Sequence, residues 1–331
     1  MMIRGERPVL TVDLGGTKIM AAVVLSDGKV LSRNYCLTMA DKGPKAVVDR
    51  VVFAVNRAVT QAQLKTSEFI GLGVAAAGIL DTKEGIVTTS PNLPHWRNVQ
   101  LRDILAEKLG VVTYIINDAS AAALGEYRFG AGRGFDNMIY LTVSTGIGGG
   151  IIVDGELYSG ADGCAGELGH MTIEVDGPQC HCGNFGCLEA LASGWAVVRE
   201  AKTRINQGEK SSVIELVGGR LESITAETVA VAARRGDQLA ANTVRDAANY
   251  LGVGLANLVN IFNPELIVIG GGLSKMGNML LKPARKVLKE RAFTLPARTV
   301  RLVRARLGSN AGIIGAAAYV FERCSKRGER I

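Results

Sequence analysis

The sequence predicts an α/β fold with a mostly parallel central sheet and several hairpins, built from a duplicated unit. Apolar runs typical of strands alternate with segments of helical periodicity along the 331 residues. A pattern of strand, glycine turn, strand, Asp-Gly turn and strand occurs twice, starting near residues 9 and 138. Because the two copies share this order, we expect a duplication.

The elements of each copy follow from apolar runs and turn residues. The first copy has strands at 9–12, 19–25 and 30–38, with a glycine turn at 13–18 and an Asp-Gly turn at 27–28. The second has strands at 138–143, 151–153 and 156–158, with a glycine turn at 144–150 and an Asp-Gly turn at 154–155. The two copies therefore predict two related sheets.

Helical spacing and stop signals place helices between and after the copies. Valines from Val47 to Val59 recur at helical spacing, Gly110 ends a short helix, and Asn263-Pro264 ends a long one. The predicted helices are 43–62, 101–109, 119–127, 240–262 and 312–323, and the remaining predicted strands are 69–74, 111–116 and 266–269.

Composition restricts the class of protein. A chain of this length can bury the cores of two domains. Hydrophobic residues make up 47% and charged residues 21%, and no apolar run reaches the roughly 18 residues of a membrane span. The net charge is +7, but basic and aromatic residues are not interleaved, so we expect neither a nucleic-acid nor a membrane partner. A small molecule bearing phosphate would use the basic groups equally well.

The stretch 164–194 carries the most specific chemical signal. His170, Cys180, Cys182 and Cys187 offer one imidazole and three thiols, the soft ligand set of a closed structural zinc site. Glu167 and Glu189 flank this set. His181 is a less favoured alternative to His170, because it lies inside the tight Cys-His-Cys turn.

Disulfides are the other interpretation of these cysteines. The chain has six cysteines and no charged-then-apolar signal segment, and Cys180 and Cys182 are too close to bridge comfortably. Zinc therefore remains the favoured interpretation, and reduced thiols lead us to expect the cytoplasm.

Three glycine-rich segments are candidates for binding phosphate. Residues 13–18 (Asp-Leu-Gly-Gly-Thr-Lys) form a turn between strands, so they are not a Walker motif, in which a helix follows. Bare backbone and Thr17 can donate to polyphosphate oxygens, and Asp13 could hold Mg²⁺ through water. An ordinary hairpin is the alternative. Thr145 and Gly146 lie in the second turn, and Gly271 and Gly272 follow a buried strand where a nucleotide could lie.

Asp118 follows Asn117 at the junction of a predicted strand and helix. Its structural interpretation is an N-cap, a position that Asp fills well. Its functional interpretation is a general base that takes a proton from a hydroxyl during phosphoryl transfer. The residues alone leave both open.

The chain resembles the ROK sugar kinases and repressors, within the actin/hexokinase/Hsp70-like (ribonuclease H-like) ATPase superfamily. The pattern as a whole is most similar to the ATP-dependent glucokinases of that family. The resemblance covers nearly the whole chain and rests on residues 13–18, Asn92, Asn117-Asp118, residues 145–150, Glu167-Leu-Gly-His170, residues 180–187, Glu189 and residues 270–272.

The resemblance implies a role for each matching residue. Asp118 is expected to deprotonate the C6 hydroxyl of a hexose. The implied sugar-binding residues are Gly78, Asn92, Asn117, Asp118, Glu167, His170 and Glu189. The implied nucleotide-binding residues are Asp13, Gly15, Gly16, Thr17, Lys18, Thr145, Gly146, Gly271 and Gly272. The implied cofactors are Mg²⁺ with ATP and a structural zinc held by His170, Cys180, Cys182 and Cys187.

The predicted activity is ATP-dependent phosphorylation of a hexose, with glucose the first choice and N-acetylmannosamine the alternative. A sugar-responsive regulator without catalysis is a remote alternative, because only about eight residues precede the first strand, too few for a helix-turn-helix. We expect two lobes, 1–117 with 312–331 and 118–311, the latter holding the zinc site. The resemblance also implies a homodimer or homotetramer.

Overall fold

The computed structural model describes residues 7–326. Its strands are β1 (Val9–Leu14), β2 (Lys18–Val24), β3 (Val30–Leu37), β4 (Leu72–Ala76), β5 (Ile79–Asp81), β6 (Ile86–Thr89), β7 (Arg97–Val99), β8 (Thr113–Asn117), β9 (Met138–Val143), β10 (Ile147–Val153), β11 (Glu156–Leu157), β12 (Leu266–Gly270) and β13 (Arg301–Arg304).

Its α-helices are α1 (Gly43–Ala62), α2 (Leu101–Leu109), α3 (Asp118–Phe129), α4 (Leu188–Ala192), α5 (Gly194–Asn206), α6 (Val213–Leu216), α7 (Ala226–Arg234), α8 (Gln238–Phe262), α9 (Asn278–Arg291), α10 (Thr294–Thr299) and α11 (Ala311–Lys326). Among the described residues, no helix combines the length and the apolar character needed to span a bilayer.

Two five-stranded sheets repeat one strand order. The first is β3-β2-β1-β4-β8 and the second is β11-β10-β9-β12-β13. In the first, β1 pairs antiparallel with β2 and parallel with β4. In the second, β12 pairs parallel with both β9 and β13. The corresponding orders confirm the predicted α/β duplication. A third, antiparallel sheet of order β5-β6-β7 was not predicted.

The chain divides into two compact units. The first comprises the described residues of Met1–Asp136, Gly150–Gly166 and Arg306–Ile331, and the second comprises Asn137–Gly149 and Glu167–Ala305. The lobe boundary between residues 117 and 118 stays a prediction, and α3 lies in the first unit because it packs against α11. Residues 327–331 of the expected small lobe lie outside the described residues.

The first unit buries both faces of its sheet. Leu10, Val12 and Leu14 alternate along β1 and join a core formed with α1 and α2. Val9, the neighbour of Leu10, belongs to a second core that includes residues of α11. This period of two is what a strand covered on both sides requires.

Helix α3 packs closely against α11 because small residues line both. A Cβ on Gly125 would lie 2.7 Å from the carbonyl oxygen of Ala311, and a Cβ on Gly315 would overlap the carbonyl of Ala121. The alanine-rich segment predicted as a helix at 119–127 therefore has a packing function, which holds the start of α3 at the end of β8.

Helix α8 organises the second unit, where it packs against α4, α5, α7 and α9. Leu251, Leu255 and Leu258 are buried on it, as their spacing predicts. Asn263 ends α8 in the left-handed conformation, with φ of 45°. Helices α4 to α7, α9 and α10 were not predicted.

The second glycine turn is shorter than predicted. Strand β10 begins at Ile147, so Gly148, Gly149 and Gly150 belong to the strand rather than to the turn. A Cβ on Gly150 would lie 3.2 Å from the Cα of Ser120. This glycine therefore serves a close approach of two backbones.

Candidate active site and metal-binding cluster

Asn117 and Asp118 lie where β8 passes directly into α3. The N-cap is Asn117, whose Oδ1 accepts the N–H groups of Ala119 at 2.9 Å and Ser120 at 3.1 Å. Its Nδ2 donates to the carbonyl of Gly78 at 3.3 Å. The N-cap interpretation of Asp118 is therefore wrong, and the capping leaves its carboxylate available for another function.

The Asp118 carboxylate lies at the amino-terminal end of α3, where Oδ1 accepts the N–H of Ala119 at 2.8 Å. Burial raises the pKa of Asp118 above its ordinary value. A carboxylate with a raised pKa is a better general base at neutral pH than an exposed one.

Asp13 lies close enough to Asp118 for their charges to interact. Burial, followed by the Asp118 charge, raises the pKa of Asp13 to about 7, while Lys18 acts in the opposite direction. Gly312, in the first turn of α11, leaves room for this carboxylate, since a Cβ there would lie 2.9 Å from Oδ2. A divalent cation would stabilise two ionised carboxylates at this place.

The first glycine turn packs against the loop that carries Asn92. The N–H of Gly15 donates to the carbonyl of Lys18 at 3.2 Å, which closes the turn. A Cβ on Gly16 would lie 2.6 Å from the carbonyl oxygen of Asn92. Thr17 and Lys18 are exposed. The first unit thus brings the predicted phosphate turn beside one predicted sugar ligand.

The backbone at position 78 accepts only glycine. Its φ is 116°, and a Cβ there would overlap the carbonyl of Thr89. Because its carbonyl accepts from Asn117, Gly78 orients that side chain through the backbone.

In the second unit, the second glycine turn is bound to Glu189. The N–H of Ser144 donates to the carbonyl of Gly146 at 2.8 Å, and the N–H of Ile147 donates to Oε2 of Glu189 at 2.8 Å. A Cβ on Gly146 would overlap this carboxylate. Glu189 and the turn containing Thr145 and Gly146 are therefore positioned together.

A cavity of about 780 Å³ lies beside this turn, entirely within the second unit. Thr145 and Gly272 line it together with Trp195. Its cationic side chains are Arg199, Lys202, Arg234 and Lys275. Sequence reasoning missed these residues, although Trp195, Arg199 and Lys202 recur at the i, i+4, i+7 spacing of one helix face. The cations suit a polyanionic ligand.

Gly271 and Gly272 differ in the space around them. Gly271 has φ of 79° and lies against the backbone of Val143, so no side chain fits there. Gly272 has only the Oγ of Ser144 near its missing Cβ, at 3.7 Å. The bare backbone of Gly272 faces the cavity, where a ligand can approach it closely.

His170, Cys180, Cys182 and Cys187 form a compact cluster, and their ligand atoms all lie within 4.8 Å of one another. The Sγ atoms of Cys182 and Cys187 are 3.7 Å apart, and Sγ of Cys180 is 3.7 Å from Nδ1 of His170. Zn–S bonds of about 2.3 Å in a tetrahedron give S···S distances of about 3.8 Å. The donor set and its spacing fit zinc.

The two ring nitrogens of His170 have different neighbours. Nδ1 faces Cys180, whereas Nε2 lies 3.8 Å from Oε2 of Glu167. Cys180 also donates to Oε1 of Glu189 at 3.7 Å. Burial raises the pKa of the Cys180 thiol to about 12, so a bound cation is needed to make it a thiolate at neutral pH.

We predict that Gly146→Ala displaces the Glu189 carboxylate, because the new Cβ would overlap Oε2. The hydrogen bond from Ile147 should then be lost, and kcat/KM for the hexose that the family resemblance implies should fall about tenfold or more in steady-state assays. Zinc content and melting temperature, measured on the same variant, are the controls for a general loss of the fold. Equal hexose kinetics for Gly146→Ala and the parent protein would contradict this expectation.

Asp13 should make stability depend on pH. Because its pKa is about 7 in the folded protein and about 3.8 ordinarily, the folded state keeps a proton that the unfolded state releases between these values. Stability should therefore fall as pH rises from about 4 to 7. The stability of Asp13→Asn relative to the parent should increase from pH 5 to pH 8 by about 3 kcal/mol, measured by urea unfolding.

The control for the Asp13 experiment is Asp49→Asn, which removes an exposed carboxylate paired with Lys108 on the surface of the same unit. It should show no such gain with pH. A stability difference between Asp13→Asn and the parent that stays constant from pH 5 to pH 8 would contradict the burial of this charge.

The first unit contains an acidic pair, and the second contains a cationic cavity and a His/Cys cluster that could hold a metal ion. The model of the ROK family matches residues 9–323, and the chain belongs to this family. Its relatives include a glucokinase from Thermotoga maritima, 38% identical, with 95% of this chain and 98% of the relative aligned.

Two further comparisons agree with this membership. A glucokinase from Streptomyces coelicolor is 40% identical, with 94% of this chain and 96% of the relative aligned. Among solved structures, a ROK family glucokinase from Streptomyces griseus in complex with glucose and AMPPNP has a TM-score of 0.83 and 38% identity. The alignment covers 95% of this chain and 99% of that chain.

Proposed function

We propose that this protein transfers the γ-phosphoryl group of ATP to the C6 hydroxyl of glucose. The observation that supports this most strongly is the Asp118 carboxylate, which is left available by the Asn117 cap and has a raised pKa. Relatives that are glucokinases match nearly the full length of the chain.

The reaction balances with Asp118 as the base. Its carboxylate accepts the proton of the C6 hydroxyl, the hydroxyl oxygen bonds to the γ-phosphorus, and the bond from that phosphorus to the β-phosphate oxygen breaks to release ADP. A pKa raised by burial brings the base closer to neutral pH, where proton transfer is most effective.

The sugar-binding residues are proposed from the resemblance to the family. Asn92, Asn117 and Gly78 belong to the first unit, and Glu167, His170 and Glu189 belong to the second. Carboxylates and amides suit hydroxyl groups, which both donate and accept hydrogen bonds. With Nδ1 of His170 directed at the metal ligands, Nε2–H would be the donor to the sugar.

The phosphates of ATP are assigned to the two glycine turns. Gly15, Gly16, Thr17 and Lys18 offer donors from the first turn, and Thr145 and Gly146 offer donors from the second. Mg²⁺ would neutralise charge on the phosphates, with Asp13 as the carboxylate that holds it. The cavity beside Gly272 would take the rest of the nucleotide, with Gly271 fixing the backbone there.

Zinc would hold His170, Cys180, Cys182 and Cys187 together and fix the orientation of the imidazole. A ring whose metal-bound nitrogen is fixed can present only one tautomer to the sugar. The zinc therefore has a structural role that also affects hexose affinity.

Thiols kept reduced for zinc and the use of ATP favour the cytoplasm. A homo-oligomer remains an expectation from the family.

The test is ADP release by the purified protein with ATP and Mg²⁺ on a panel of glucose, mannose, fructose and N-acetylmannosamine. We expect glucose to give the highest kcat/KM. A preference for N-acetylmannosamine would overturn the proposed substrate and keep the phosphoryl transfer. No turnover on any sugar, in protein with its zinc confirmed, would overturn the proposed activity.

A further inference from the structure

Trp195 is shared by the metal-binding cluster and the nucleotide cavity. Its side chain packs against Cys180, Cys187 and Ala190, and it also lines the cavity next to Thr145. Its backbone N–H donates to the carbonyl of Thr145 at 3.2 Å. A change in the position of this ring would therefore alter both places.

Two side chains contact the face of the Trp195 indole ring. The imidazole of His181 stacks on it with ring centroids 4.3 Å apart and planes inclined by 28°. The guanidinium carbon of Arg199 lies 5.0 Å from its ring centroid. The buried Nε1 of Trp195 has no hydrogen-bond partner among the described residues, so ring contacts and packing fix its orientation.

Arg199 connects the same ring to the cavity. It is one helical turn from Trp195 on α5, it lines the cavity, and its Nη2 donates to the carbonyl of Ala190 at 3.0 Å. Burial lowers the pKa of Arg199, which places a partly desolvated cation where its attraction for phosphate is strongest. An Arg199 side chain released from Trp195 would lose this placement.

We propose that His181 is a positioning residue for nucleotide binding, which holds Trp195 and thereby Arg199 in the orientation that the cavity needs for a nucleoside triphosphate. This inference rests on the proposed function, in which the cavity binds ATP. His181 lies between Cys180 and Cys182, two of the proposed metal ligands. A loop fixed by the metal holds the His181 ring in place, so less conformational entropy is lost when the nucleotide binds. The order of the metal loop therefore sets nucleotide affinity.

Linkage makes this coupling reciprocal. If the metal-bound loop raises nucleotide affinity by a given factor, bound nucleotide raises metal affinity by the same factor. The dissociation constant of zinc, measured at equilibrium by competition with a chromogenic chelator, should therefore be lower when the Mg²⁺ complex of AMPPNP is present. Identical zinc dissociation constants with and without the nucleotide analogue would contradict the coupling.

The direct test measures the dissociation constant of Mg²⁺–AMPPNP by calorimetry in three variants, with zinc content and glucose affinity recorded for each. His181→Ala should bind the analogue about 3- to 10-fold more weakly, with zinc and glucose affinity retained. His181→Phe keeps a stacking ring without a ligand nitrogen and should restore affinity to within about twofold. Gln179→Ala, an exposed change in the same loop, is the matched control and should have no effect.

Each other outcome overturns the inference. Parent-like affinity in His181→Ala, or equal losses in His181→Ala and His181→Phe, would exclude the stacking role. Loss of zinc in His181→Ala would make His181 a metal ligand. A parent protein that binds glucose but no AMPPNP would overturn the assignment of the cavity and the proposed function with it.

Fluorescence gives a second readout that does not depend on turnover. The chain has two tryptophans, so Trp96→Phe leaves Trp195 as the reporter. Binding of Mg²⁺–AMPPNP should change the emission of Trp195, and His181→Ala in this background should alter the emission before any nucleotide is added. An emission spectrum unaffected by both would contradict the proposed stack.

Discussion

Asp118→Asn should reduce kcat for hexose phosphorylation by about 10³-fold or more and leave glucose binding largely intact. The reason is chemical: an amide cannot accept the proton of the C6 hydroxyl. The fold should persist, because an amide oxygen can still accept the N–H of Ala119 that Oδ1 of Asp118 accepts at 2.8 Å. Steady-state kinetics and calorimetric glucose binding on the same preparation separate the two effects.

The matched control is Asp49→Asn, an exposed carboxylate in α1 that pairs with Lys108 at 3.2 Å. It removes the same charge from the same unit and should keep parental kcat. If Asp118→Asn retained more than about a tenth of parental kcat, Asp118 would not be the base, since a lost general base costs about 10²-fold or more.

Removing zinc should have the second largest effect. Cys180→Ser should lower the melting temperature by about 10 °C, because structural zinc contributes several kcal/mol to the fold that contains it. Glucose affinity should also fall about tenfold or more, because His170 and Glu189 both contact Cys180. Zinc analysis, thermal unfolding and calorimetry on one preparation measure these effects together.

Cys164→Ser is the control for losing a thiol, because Cys164 is exposed and lies outside the cluster. It should retain zinc, melting temperature and glucose affinity. Cys180→Ser with an unchanged melting temperature and unchanged glucose affinity would exclude the structural role assigned to the metal.

Elements with strong local signals were predicted to the residue. Helix α1 occupies Gly43–Ala62, with Pro44 in its first turn, and α2 ends before Gly110, whose φ of 66° suits only a left-handed cap. These signals lie within a few residues of the element they bound. Metal chemistry is also local, which is why the four side chains of the cluster could be predicted from spacing to lie together.

Features that depend on distant contacts could not be predicted. Asn and Asp cap helices equally well, so the sequence does not show which of Asn117 and Asp118 is the N-cap. In the fold Asn117 is the cap, and its side chain also donates to the carbonyl of Gly78, 39 residues away. Gly150 was assigned to a turn because a close approach to α3 leaves no trace in its neighbours. The stack of His181 on Trp195 likewise requires the folded second unit.

Transfer of the γ-phosphoryl group of ATP to the C6 hydroxyl of glucose gives a product that can be identified directly. The most direct measurement is ³¹P and ¹³C NMR of the reaction mixture, with 6-deoxyglucose as a matched substrate that lacks the attacking hydroxyl. We expect glucose 6-phosphate and ADP in equal amounts, and no phosphorylated product from 6-deoxyglucose. Phosphate on another carbon of glucose, or ATP consumed to free phosphate without a sugar phosphate, would contradict it.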